Sequence, residues 1–203
     1  MLRAAVLAAG LSTRMGGRPK GLLPVDDVDV FVTRIVRTFN AAGLNDVVVI
    51  VGHDADAVRA RVSASGLSAQ SVLNPNYERG QLSSLLTAID AVDQPGVHGL
   101  VLALVDAPLF SSSTVRQLVE RFEHTHAPVV RAVRGDEHGH PVILGRELFE
   151  LIRGADPAVG AKPIVRSHAS ILGDVDVNDA GAFQDIDTPD DYARIIGSRP
   201  EPA

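Results

Sequence analysis

The sequence contains no cysteine. That absence excludes a disulfide framework, a thiolate zinc site, an iron–sulfur cluster and a cysteine nucleophile, so any metal must be held by oxygen or imidazole. The chain also lacks an excess of positive charge: 19 lysines and arginines stand against 25 aspartates and glutamates, a net charge of −6. General affinity for nucleic acid or for an anionic membrane is therefore not expected, and any basic site must be local. No apolar run approaches the roughly 20 residues of a membrane span; the short run in "MLRAAVLAAG" stops at Gly10, and basic residues follow. There is no internal repeat, no low-complexity tract, no dividing linker and no H-x-x-x-H pair of zinc-ligand spacing. These absences leave the expectation of a cytoplasmic enzyme or binding protein, one domain over 1–196 with "GSRPEPA" (197–203) as a disordered tail.

What is present is enough apolar material, 45% of 203 residues, to bury a sizeable core. Short β-rich runs at 3–8, 46–52, 70–73, 99–105, 128–133 and near 170–177 alternate with helix-period segments at 28–42, 55–64, 82–92, 112–124, 146–153 and 189–196. In 112–124, Val115, Leu118, Val119 and Phe122 recur at helical spacing behind Ser and Thr caps, which predicts an amphipathic helix laid on a sheet. "VVVIV" and "LVLALV" are continuously apolar instead of alternating, as strands covered on both faces are. The expected fold is a three-layer α/β/α sandwich on a mostly parallel, Rossmann-like sheet, with ligands at the carboxyl ends of the strands.

The loop behind the first strand, "LAAGLSTRMGGRPKGLLP" (7–24), combines glycines that permit close backbone approach to an anion with Arg14 and Lys20. It matches neither the Walker pattern nor G-x-G-x-x-G, and its composition alone is also that of a mobile surface loop. Asp106, in "DAP" after the fourth strand, is placed either to look into the ligand crevice or to cap the next helix. In "DIDTPDD" (185–191), Thr188, Pro189, Asp190 and Asp191 read as N-cap, N1 and a dipole-complementing first turn, leaving Asp185 and Asp187 on one face if extended.

The loop 7–24 resembles the signature of the MobA-like nucleotidyltransferases, and "NPNYERGQLSSL" (74–85) and "GHPVIL" (139–144) resemble two further segments of that family. The resemblance implies transfer of a nucleoside monophosphate from an NTP to a phosphorylated acceptor, with release of pyrophosphate. Leu7, Ala8, Ala9, Gly10, Gly16, Gly80 and Ser84 would then line the nucleotide, and Arg14 and Lys20 would hold its triphosphate. Asp106 becomes the main Mg²⁺ ligand, with Asp187 as its partner and Asp185 as the alternative. His140, in what reads as a G-H-P turn, faces the acceptor or simply bonds nearby backbone. Ala8-Ala9-Gly10 resembles the cytidylyltransferases of molybdenum cofactor maturation, implying CTP and a molybdopterin-type acceptor, with a molybdoenzyme as a further partner. "RMGGRPKGLL" resembles the guanylyl branch instead, so GTP stays open, as do other phosphate acceptors and a carrier role without turnover.

Overall fold

The computed structural model describes residues 1–197. In chain order the elements are β1 (Leu2–Leu7), α1 (Phe31–Ala41), β2 (Val47–Val51), α2 (Ala55–Ala64), β3 (Ala69–Leu73), α3 (Gln81–Val92) and β4 (Gly99–Leu104). They continue with α4 (Ser112–Thr125), β5 (Val129–Arg134), β6 (Glu137–Gly145), α5 (Phe149–Arg153), α6 (Lys162–His168), β7 (Asp174–Asp176) and α7 (Pro189–Ile196). The strands form one seven-stranded sheet in the order β3-β2-β1-β4-β6-β5-β7, parallel except that β6 runs antiparallel to β4 and β5.

Side-chain alternation divides β1 between two cores: Ala4 and Val6 pack with α1, α2 and α4 on one face, Ala5 and Leu7 with α3 and α5 on the other. The expected sandwich is therefore present, and all five residues of β2 are buried, as its unbroken apolar run requires. The chain leaves β1 for β2 on one side and reaches β4 on the other, which puts the reversal of strand order, and hence the ligand crevice, between the ends of β1 and β4.

Two expectations need correction. "GHPVIL" is not a turn but part of β6. Gly139 and Pro141 read as turn residues, yet they lie where the β5–β6 register shifts, between the pairs Val133↔His138 and Arg131↔Val142, a place where a missing N–H is tolerated. Lys162–His168, left unassigned in the sequence, is the short helix α6, begun at Lys162-Pro163 with Pro near its first position.

The start of α7 matches its expected caps: Thr188 and Asp191 form a reciprocal capping box, and hydrogen bonds from Thr188 and Arg194 hold the Asp191 carboxyl down at about 2. Gly197 closes that helix at φ 97°, while 198–203, most of the expected tail, lie outside the described residues. Among the described residues no helix is long and apolar enough to cross a membrane.

Asp29, 3% exposed, fastens the exit of the first loop to α1 by accepting from Arg37 Nε at 2.8 Å and Nη2 at 3.1 Å. Burial pushes its carboxyl up, but hydrogen bonds from Arg37 and Thr33 and the charges of Arg37 and Arg34 outweigh it, and the net position is below the ordinary 3.8. A lowered folded value means stability present above the ordinary carboxylate range and lost as pH falls through the folded one. Asp29→Asn is expected to cost about 2 kcal/mol at neutral pH and to flatten the acid limb of the stability curve, as read by urea unfolding across pH.

Candidate functional site

The first loop is fastened at several points. Ser12 adopts a left-handed conformation (φ 51°), Thr13–Met15 make one 3-10 turn, and Gly16 and Gly17 follow at φ 70° and 83°. The Ser12 hydroxyl then accepts from the Lys20 amide at 3.0 Å, closing the loop on itself. Met15 is buried in a small cluster with Leu23, Phe31, Ile186 and Tyr192, which ties the loop to α1 and to the C-terminal segment. The alternative of an unconstrained surface loop is thereby set aside.

The same cluster brings in the second acidic segment. Ile186 is fully buried, and its amide donates to the Asp106 carbonyl at 2.8 Å, joining 185–187 to the chain just beyond β4. Asp106 caps no helix, because Ser111 serves α4. Lys20 Nζ lies 2.5 Å from Asp187 Oδ1 and 3.7 Å from Asp106 Oδ2, and Arg14 Nη1 is 3.2 Å from Asp187 Oδ2. Asp106 Oδ1 is buried with no hydrogen-bond partner. Burial pushes the Asp106 carboxyl up; Lys20 pulls it down, and Asp185 and Asp187 add to the push, so its net position is above the ordinary 3.8.

A cavity of about 400 Å³ opens over these groups. Leu7, Ala8, Ala9, Gly10, Arg14, Lys20, Gly80, Ser84, Asp106 and Asp187 all line it, while Gly16 does not, serving instead to end the 3-10 turn. The methyl groups of Ala8 and Ala9 belong to the two cores. Gly80, at φ 93°, starts α3 at the cavity wall in a conformation that favours glycine. Buried Asn74 donates to Ser83 Oγ at 2.9 Å and Ser84 Oγ at 3.0 Å, so Ser84 also braces this wall. Tyr77 lines the cavity as well, seated where a Cβ on Gly52 would come within 2.6 Å of it.

Asp185 and His140 face elsewhere: both line a second, adjoining cavity of about 760 Å³. His140 Nδ1 is buried there without a partner, and no bond to nearby backbone accounts for it. Burial pushes its imidazole down against the pull of Asp185 and Asp106. Sequence reasoning missed Arg79, Lys162 and Arg166 on the walls of this second cavity; the one available signal was the basic pair at i and i+4 in "KPIVR".

Among the described residues no group of three or more His, Asp or Glu forms a metal cage. Asp106 and Asp187, one of them with an orphaned buried oxygen, nevertheless suit a divalent cation completed by phosphate oxygens and water. The Lys20 ammonium supplies the positive charge between them in this structure.

Residues 4–171 match the MobA-like NTP transferase domain. A nicotine blue oxidoreductase of Paenarthrobacter nicotinovorans is 29% identical over 197 residues, covering 94% of each chain. The crystal structure of Rv0371c from Mycobacterium tuberculosis H37Rv is similar at 30% identity and a TM-score of 0.80, covering 97% of each chain. The same protein in complex with manganese gives a TM-score of 0.76 at 29% identity, over 97% of this chain and 98% of that one. A nucleotidyl transferase from Methanothermobacter thermautotroptrophicus matches at 25% identity and a TM-score of 0.79, over 97% and 96%.

Because the folded protein raises the Asp106 carboxyl, its ionised form weakens the unliganded fold at neutral pH. Asp106→Asn is therefore expected to raise the Tm of chelator-treated protein, at about 2–4 °C per kcal/mol relieved. The gain should disappear at acid pH, where Asp106 is protonated; a lower Tm at neutral pH in scanning calorimetry contradicts this.

Proposed function

The chain belongs to the MobA-like NTP transferase family, and from that premise we propose that it transfers CMP from CTP to the phosphate of molybdenum-loaded molybdopterin, releasing pyrophosphate. The observation that carries this reading is the meeting of Arg14, Lys20, Asp106 and Asp187 over one cavity at the ends of β1 and β4. A triphosphate entering there offers Lys20 and Arg14 a more strongly charged partner than Asp187. As the two cations turn to the phosphates, both carboxylates become free to hold a divalent cation, for which we propose Mg²⁺. When bound, that ion supplies charge neutralisation at the phosphate oxygens.

The chain's own residues then position and stabilise. An oxygen of the acceptor phosphate attacks the α-phosphorus, the bond to the β-phosphate oxygen breaks, and the electron pair leaves with pyrophosphate. Lys20 and Arg14 meet that growing charge in a site where Lys20 is mostly buried and has little to reorganise. The acceptor enters from the second cavity, past His140 and Asp185. No protein nucleophile is required, since the acceptor brings its own.

CTP is preferred in this reading because of Ala8-Ala9-Gly10, and Gly16-Gly17 with Lys20-Gly21-Leu22 keeps GTP as the second reading. The relative called an oxidoreductase adds a redox reaction to the outcomes worth measuring. α-Labelled CTP, GTP and ATP, each with Mg²⁺, are offered with molybdenum-loaded molybdopterin, and dinucleotide and pyrophosphate are followed. CTP transfer is expected; GTP transfer moves the chain to the guanylyl branch, and cofactor binding without pyrophosphate release supports a carrier. Lys20→Ala and Asp106→Ala are each expected to lower kcat by about 10²-fold with the circular dichroism spectrum unchanged, and retained turnover removes the assignment of these roles.

A further inference from the structure

The second cavity shares Leu7, Gly80, Gln81 and Leu104 with the first, so the two adjoin along one wall. Its inner surface is apolar, built from Leu82 and Leu85 of α3, Leu102 of β4, and Val142 and Leu144 of β6. Its outer wall is cationic. Lys162 and Arg166 stand four residues apart on α6, hence on one face of it, and Arg79 joins them from the turn before α3.

These three cations differ from the rest. Among the described residues, Arg18, Arg79, Lys162 and Arg166 are the lysines and arginines whose side chains have neither a hydrogen bond nor an ion pair, and three of these four line this one cavity. Arg131 also lines it, but Asp174 takes its guanidinium at 2.7 Å. Asp185, near the entrance to the nucleotide cavity, is the one acid among the lining residues. In a chain of net charge −6, acids to neutralise these cations are plentiful, yet none pairs with them. Two like charges at i and i+4 also weaken a seven-residue helix, a cost without return in the unliganded protein. Unpaired cations above an apolar floor create a local positive potential and suit a ligand with an apolar body and a charged end.

We propose that Lys162, Arg166 and Arg79 form an anion clamp for the acceptor, which carries a second anionic group remote from its reacting oxygen and lays an apolar body on the leucine floor. This rests on reading the second cavity as the acceptor's place. It adds a requirement that nucleotide transfer alone does not impose: an acceptor whose only anionic group is the one that reacts is held poorly.

The test needs no turnover. The fluorescent sulfonate 1-anilinonaphthalene-8-sulfonate supplies an apolar ring system with one anionic group, and N-phenyl-1-naphthylamine is its uncharged counterpart. The wild-type protein is expected to bind the sulfonate about tenfold more tightly than the uncharged probe. Lys162→Ala/Arg166→Ala should abolish that preference while leaving the uncharged probe and the Kd for nucleotide unchanged. Both residues are exposed and unpaired, and Ala removes their mutual repulsion, so the double variant is expected to melt no lower than wild type. Lys162→Glu/Arg166→Glu should reverse the preference. Equal binding of the two probes by wild type, no binding of the sulfonate, or a preference unchanged by either double variant overturns the proposal. Failure of nucleotide transfer with the probe preference intact removes the proposed reaction and leaves the clamp standing.

Discussion

Lys20 is held between two carboxylates, and the site is organised around that contact. Its ammonium stands 2.5 Å from Asp187 and 3.7 Å from Asp106, with most of the side chain out of solvent. A carboxylate buried as Asp106 is, with one oxygen unpartnered, is unfavourable on its own. The lysine offsets part of that cost in the unliganded protein. The same contact sets the condition that the proposed nucleotide has to meet: it must satisfy Lys20 more fully than Asp187 does before the two acids are free for a cation.

The contact exists because three distant parts of the chain meet at one point. β1 and β4 are parallel neighbours, so the loops after them emerge side by side. The Ile186 amide bonds the Asp106 carbonyl, and the burial of Ile186 with Met15 and Tyr192 holds the third part in place. With Ile186 packed inward, its neighbours Asp185 and Asp187 are left at the crevice, each on a different cavity. One buried isoleucine thus sorts two otherwise similar aspartates onto separate cavities.

Much of this was legible in sequence because it is local. The unbroken apolar run of β2 marks a covered strand, α2 and α7 span the residues expected of them, and Thr188 and Asp191 announce their own capping box. What could not be read depends on distant partners. "GHPVIL" looks like a turn until β4 and β5 lie on either side of it, and its Gly and Pro then fall at a register shift. α6 is short, and its apolar residues pack only partly, so no clear period identifies it. Gly16 belongs to the loop's motif, yet its work is to turn the backbone. Asp185 and Asp187 appear equivalent along the chain, and only the cavities separate them.

The division into two cavities offers a place where proteins on one frame can differ. The first cavity is made by backbone at the ends of β1 and α3 and by the charges of Arg14, Lys20, Asp106 and Asp187, so its form is tied to the sheet itself. The second cavity has its floor on α3, β4 and β6 but takes its cationic wall from α6 and the turn before α3, which lie outside the sheet and can change in sequence without disturbing the strand order. Similarity across 94% of a chain with an oxidoreductase's name, and across 97% of one described as a nucleotidyl transferase, fits such a division. The identity of the second molecule has to be sought in residues such as Arg79, Lys162 and Arg166, which do nothing for the fold. Their lack of any partner in the unliganded protein is what makes them informative, since a cation kept unpaired in an acidic chain has its counter-charge still to come.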